Sequence, residues 1–245
     1  MVYDCFLYNG EKELLEIRLN EFLNCAEPVV HILIEAEFTH TGNKKPLYFD
    51  SYKSEFQGWP IVSITVEEFP GMESPRDREA YQRNMIKGAL KFMVPSDGAT
   101  VIISDVDEIP SHKSVDYFCS TNQEFASLQM KKFGYYLNCL ESNEWDRARI
   151  MRYSYLTDRN PEEIRNSGYE VMLHNAGWHF SWLRNRAKEK LKSFSHTELD
   201  TLENKVHIDL EVNFWNDKEL EDIDIDNSFP EYLVNNIDKF KHLIK

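Results

Sequence analysis

Residues 101–110, VIISDVDEIP, set three carboxylates, Asp105, Asp107 and Glu108, within four positions behind an apolar run. Like charges this close repel, and near a core they are costly without a cationic partner. A cluster of this kind can hold a divalent cation, supply a phosphoryl nucleophile, or form a solvated acidic turn. If the chain stays extended through Asp107, Asp105 and Asp107 share one side and Val106 points to the other. Two carboxylates facing one point suit Mg2+ or Mn2+, ions that also accept phosphate oxygens. Asp-x-Asp alone is a weak signal, because acidic turns after strands are common. The elements around it carry the decision.

Those elements follow a βαβ pattern. Residues 2–8 alternate apolar and polar and stop at Asn9-Gly10, a strand and a turn. Residues 11–22 place Leu15, Leu19 and Phe22 at helical spacing behind acids in the first turn. Residues 29–36 are an apolar run suited to a strand buried on both faces. A third strand is expected within 60–69. A helix over 74–93 opens with Ser74 as N-cap, Pro75 at its first position and Asp77 closing a capping box. The fourth strand then ends in the acids. Strands alternating with helices imply a parallel sheet, and in an open parallel sheet ligands bind beyond the carboxyl ends of the strands.

After Pro110 the pattern loosens. Residues 125–140 read as an aromatic-rich strand, 177–183 as a short aromatic segment and 184–194 as a basic helix. The tail is acidic and then amphipathic, with Tyr232, Ile237, Phe240 and Leu243 docking a last helix. The 245 residues, 42% hydrophobic, suffice for one large α/β domain with a real core. We expect a nucleotide-binding half over 1–110 and an acceptor-side half over 111–245. A formal charge of −14 argues against nucleic acid and anionic membrane surfaces, which reward basic proteins. The four cysteines are widely spaced and form no C-x-x-C pair, so they read as reduced thiols. No apolar stretch approaches the roughly 20 residues of a membrane span, and no signal-like segment opens the chain. A cytoplasmic setting is the expectation; oligomeric state is not legible.

Two enzyme classes place Asp-x-Asp after a strand. Haloacid-dehalogenase-like phosphatases use the first Asp as nucleophile near the start of the chain. GT-A glycosyltransferases carry the motif after about four strands and hold a metal with it on a sugar-nucleotide diphosphate. Three strands precede the motif here, which favours the second class. The chain also resembles glycosyltransferase family 17 nearly end to end. The resemblance lies in YNGEKELLEIRLNE, IEAEFTHTGNKKPLYF, SDVDEIP, GWHFSW and FPEYLVNNIDKFKHLI, with DEIP followed some seventy residues later by GWHxSW.

That resemblance implies a GT-A (Rossmann-like) fold with a mixed, mainly parallel sheet flanked by helices. It implies inverting transfer of a sugar, GlcNAc from UDP-GlcNAc first, onto a carbohydrate hydroxyl, with Mn2+ or Mg2+ offsetting charge on the leaving diphosphate. Asp107 is then the direct metal ligand and Asp105 is shared between metal and ribose. His179, in the Gly-Trp-His segment, is the expected third ligand, with His196 as second choice. Arg83-Asn84 matches a pair that lies near the donor nucleotide, Glu35 ends the strand where an acid meets uridine, and Lys45 balances phosphate charge. Inversion needs a general base. Glu108 is favoured because it lies in the matched motif, while Glu141, Glu144 and Asp146 are also eligible. Trp178, Trp182, Tyr135 and Tyr136 are candidate sugar platforms or simply core. The competing readings are a phosphatase and a non-catalytic nucleotide-sugar-binding relative.

Overall fold

Val2–Tyr8 (β1) is buried along its whole length, as a central strand covered on both faces must be. The computed structural model describes residues 1–168, 171–213 and 219–245. Helix α1 (Lys12–Phe22) follows β1, and β2 (Val29–Ala36) pairs parallel to it. The short α2 (Tyr48–Tyr52) precedes β3 (Ile61–Val66), which joins the outer edge of β2, again parallel. Helix α3 (Pro75–Met93) has the expected capping box between Ser74 and Asp77, with Pro75 in its first turn. It returns the chain to β4 (Thr100–Asp105), parallel to β1 on the side away from β2. The order β3-β2-β1-β4 therefore reverses direction between β1 and β4. Such a reversal opens a crevice at the carboxyl ends of the two strands, because the connections leave them to opposite sides.

The fourth strand is shorter than expected. It stops at Asp105, residues 106–107 turn, and β5 (Glu108–Pro110) sets off toward a different neighbour. Asp105 and Asp107 therefore do not share a face by strand alternation. Helix α4 (His112–Ser120) leads to β6 (Phe125–Gly134), and a tight turn returns as the 14-residue β7 (Cys139–Arg152). Residues 125–140, read as one strand, thus divide between two antiparallel strands, and β7 pairs antiparallel with β4. Two short helices, α5 (Tyr153–Leu156) and α6 (Pro161–Asn166), precede β8 (Met172–Leu173) and β9 (Gly177–Ser181). Strand β9 runs parallel to β6 and antiparallel to β5, setting His179 opposite Glu108. Gly177 makes that pairing possible: a Cβ there would lie 2.2 Å from the Ile109 carbonyl oxygen, and its φ is +152°.

Helices α7 (Ala187–Ser193) and α8 (Leu202–Leu210) follow, then β10 (Glu221–Asp222) on the edge of β7. The expected closing helix is two short ones, α9 (Glu231–Asn235) and α10 (Ile237–Phe240), ending in a 3-10 turn. Leu233, Phe240 and Leu243 pack with Leu14 and Ile17 of α1 and with Ile109 and Phe180 of the β5–β9 pair. Four described cysteines are free, in keeping with the thiol reading. Among the described residues no helix is long and apolar enough to cross a membrane. Phe240 is fully buried in this cluster, so Phe240→Ala should cost about 3–5 kcal/mol of unfolding free energy in a urea titration. A loss near zero would mean that the tail is not part of the core.

Candidate active site

A cavity of about 240 Å3 opens at the switch point between β1 and β4. Leu7, Tyr8 and Asn9 line it from the end of β1, and Asp105, Val106 and Asp107 from the end of β4. The loop after β2 contributes Phe38, His40 and Lys45, while β9 and the segment after it contribute His179, Ser181 and Trp182. Sheet topology alone brings these stretches together.

The turn carrying the acids is held from beneath by Arg18 of α1, which is completely buried. Its Nε and Nη2 donate to the Asp4 carboxylate at 2.8 and 2.5 Å, and Nη2 also donates to Ser104 Oγ at 2.7 Å. Its Nη1 donates to the backbone carbonyls of Asp105 and Glu108, at 3.0 and 2.7 Å. Burial opposes the charge on Asp4, yet Arg18 and His31 outweigh it and bring the Asp4 pKa down to about 2.

Each acid of the motif is paired with a cation, and Arg165 serves two of them. The two Asp105 oxygens accept from Arg83 at 2.9 Å and from Arg165 of α6 at 2.8 Å. Asp107 accepts from Lys190 of α7 at 2.7 Å, and His179 Nε2 lies 3.7 Å from the same oxygen. Burial disfavours the Asp107 charge, but Lys190 and His179 outweigh it, so its carboxyl is held far below the usual range. Glu108 is fully buried, and its oxygens accept two bonds from Arg165 at 2.7 Å each, the Trp145 indole at 2.7 Å and the Asp105 amide at 2.9 Å. A carboxylate with four donors and no face to the cavity has no free lone pair for an acceptor hydroxyl. Glu108 is thus a positioning residue that ties the turn to α6 and β7, and the expectation that it is the base is corrected on that ground.

Of the other residues expected from sequence, Asp105, Asp107, His179 and Lys45 meet at the cavity. Lys45 donates to Glu35 at 3.3 Å. Burial lowers the Lys45 pKa and raises that of Glu35, so desolvation outweighs their mutual attraction. Glu35 does not line the cavity; it accepts the amides of Tyr48 and Phe49 at 2.7 and 3.0 Å and so caps α2. Arg83 stands behind Asp105 rather than at the surface, and Asn84 turns to α6, where it accepts the Glu162 amide at 3.0 Å. His196 lines the far end of the cavity and pairs with Glu198 at 3.0 Å. Trp182 lines the cavity, whereas Trp178 donates to the Ser228 carbonyl and Tyr135 and Tyr136 pair with Val212 and Glu211. Glu141, Glu144 and Asp146 lie outside the lining; Glu141 is paired with Lys132 at 2.5 Å.

Four residues of the site were missed by sequence reasoning: Arg18, Trp145, Arg165 and Lys190. Trp145 stacks on His179 with ring centroids 4.3 Å apart. Two buried polar atoms of the lining have no hydrogen-bond partner, Tyr8 Oη and His179 Nδ1. In a folded protein such orphans mark positions that a ligand or solvent must satisfy.

The mixed-charge cavity thus lies at the switch point of the parallel half of a mixed sheet, the place where open α/β sheets take their ligands. The sequence profile of glycosyltransferase family 17 matches residues 1–211, and the chain belongs to that family. No curated protein sequence matches it. Among solved structures, the chain is similar to the mannosyltransferase PcManGT from Pyrobaculum calidifontis in complex with GDP-Man and Mn2+. Identity is 12%, with 85% of this chain and 70% of that one covered and a TM-score of 0.41. It is also similar to the apo-form glycosyltransferase GlyE of Streptococcus pneumoniae TIGR4, at 10% identity and a TM-score of 0.36. That match covers 71% of this chain and 44% of GlyE.

The Glu108 environment makes a pH prediction. Burial raises its pKa, but Arg165 outweighs burial and holds the carboxyl below its ordinary 4.5. A depressed pKa contributes stability that is complete above the unfolded value and is lost as pH falls through the folded one. In urea unfolding, the stability advantage of the wild type over Glu108→Gln should be constant near neutral pH and shrink below 4.5. An advantage that stays level through acid pH would show that the charge on Glu108 does not support the turn.

Proposed function

We propose that this glycosyltransferase moves a sugar from a UDP-sugar, UDP-GlcNAc first, onto a carbohydrate hydroxyl with inversion, using Mn2+ or Mg2+. The observation that carries the reading is the pair Asp107–His179, 3.7 Å apart in the cavity wall, on the turn just before β5 and on the strand β9 that pairs with it. Among the described residues no three His, Cys, Asp or Glu side chains converge on one point. A carboxylate and an imidazole whose Nε2 stands 3.7 Å from it fit an ion that takes its remaining ligands from phosphate oxygens and water. Asp107 and His179 would hold that ion, which supplies charge neutralisation on the leaving diphosphate.

The chain's own residues do the rest. Arg83 and Arg165 fix both oxygens of Asp105, which leaves that carboxylate oriented and unsuited to attack phosphorus; this weighs against the phosphatase reading. Lys45 at the mouth of the β2 loop adds positive charge for the diphosphate. Tyr8 Oη offers a buried hydroxyl to the nucleotide. Trp182 and Trp145 line the cavity, where indole rings suit the C–H patches of a sugar. Glu108 keeps the turn in register without touching substrate.

Thermal-shift titration tests the proposal. UDP or UDP-GlcNAc with Mn2+ should stabilise the wild type well beyond either alone, and Asp107→Asn, folded but melting lower because Lys190 loses its charged partner, should lose the Mn2+ increment. Transfer to a carbohydrate acceptor panel should fall on the order of 100-fold in the same variant. No stabilisation by any UDP-sugar in the presence of Mn2+ would sink the reading.

A further inference from the structure

Asp107 is the acid that the proposed metal needs, and it is already occupied by a protein cation. Lys190 Nζ sits 2.7 Å from Asp107 Oδ2, the same oxygen that His179 faces. The ammonium is not a surface group that happens to reach inward. It lies 5.4 Å from the Trp182 ring centroid, and it lines both the main cavity and the small pocket beside it, as Glu11 and Asp107 do. Arg83 and Arg165, by contrast, each bridge Asp105 to a second acid, Glu162 and Glu108 respectively, and so are tied into the wall by α3 and α6.

A divalent ion in contact with Asp107 Oδ2 would lie roughly 4 Å from an ammonium bonded to that oxygen, and the repulsion of a double charge at that distance rivals what the lysine gains from the carboxylate. A metal on Asp107 therefore displaces Lys190. The lysine can leave without disturbing the fold: its flexible stem springs from α7, and the ammonium has its way out inside the cavity. What a freed ammonium next meets there is the diphosphate of the bound donor. From this exchange, and resting on the metal reading above, we propose that Lys190 is a tethered place-holder cation. It keeps Asp107 charged and aimed while no metal is bound, and passes to the donor diphosphate when the metal takes its place.

A place-holder competes with what it holds the place for, and a purely structural lysine does not. Lys190→Met should therefore bind Mn2+ more tightly than the wild type in donor-free protein, roughly 10-fold by titration of the free-ion EPR signal. Lys190→Arg, which keeps the charge, should bind it like the wild type or more weakly. With Mn2+ saturating, Lys190→Met should raise KM for the UDP-sugar, because the diphosphate loses a cation. Folded Lys190→Met with unchanged or weaker Mn2+ binding overturns the exchange while leaving the metal site standing. Equal Mn2+ binding by wild type and Asp107→Asn overturns the metal site itself, and the exchange with it. Transfer that survives EDTA in the wild type but vanishes in Lys190→Met also overturns the exchange, since the lysine would then be the permanent cation.

Discussion

The geometry of this site depends on one buried guanidinium. Arg18 spends its donors on the Asp4 carboxylate, the Ser104 hydroxyl and the carbonyls on either side of the acid turn. Asp4 lies in β1, Ser104 in β4 and Arg18 in α1, so one side chain joins the two strands of the switch point to the helix beneath them. A buried charge is tolerated only when its partners are complete, and the Arg18 planar fork completes them with little freedom left. The phenyl ring of Phe6, 4.5 Å from the guanidinium carbon, covers it further. Because two of the bonds go to backbone carbonyls, Arg18 holds the turn independently of Asp105 and Asp107, and Glu108 adds a second hold through the Asp105 amide.

Above that clamp, charge is arranged in two tiers. Glu108 and the inner side of Asp105 are neutralised by arginines that belong to the wall. Asp107 is neutralised by a lysine that belongs to the cavity. Arginine suits the first duty, since it stays charged and bonds two acids at once, as Arg165 does with Asp105 and Glu108. The chain is strongly acidic overall, yet the cavity has Lys45, Arg165 and Lys190 in its lining. Cations set among the lining acids Glu11, Glu79, Asp105 and Asp107 are what a diphosphate would need from an acidic protein.

The first half of the fold was legible because its signals are local. Buried strands announce themselves as apolar runs, and α3 carries its own start signal in Ser74, Pro75 and Asp77. The motif acids were legible for the same reason. Their partners were not: Arg165 lies 57 residues from Glu108 and Lys190 lies 83 from Asp107, on short helices with no distinguishing pattern. Strand β7 was missed because its middle is polar and half exposed, so neither alternation nor an apolar run betrays it. Four aromatics looked alike on paper. Only the topology separates Trp182, which faces the cavity, from Trp178, Tyr135 and Tyr136, whose polar ends are bound elsewhere. Glu108 illustrates the same limit, since proximity to a motif does not say which way a carboxylate points.

The closing helices give the site a schedule. Tyr232 and Lys239 both bond Glu16 of α1, and Leu233, Phe240 and Leu243 fill the space between α1 and the β5–β9 pair. The Leu137 amide also bonds the Leu243 carbonyl, so the β6–β7 turn waits on the same segment. Every described residue that lines the cavity lies at or before position 196, yet the helix that carries Arg18 gains its outer packing only from residues 229–243. A nascent chain can assemble its parallel strands early and still lack a finished acid turn. Completion of the site therefore depends on a segment well beyond its last lining residue, and the carboxylate cluster reaches its working geometry only when Phe229, Leu233, Phe240 and Leu243 have docked.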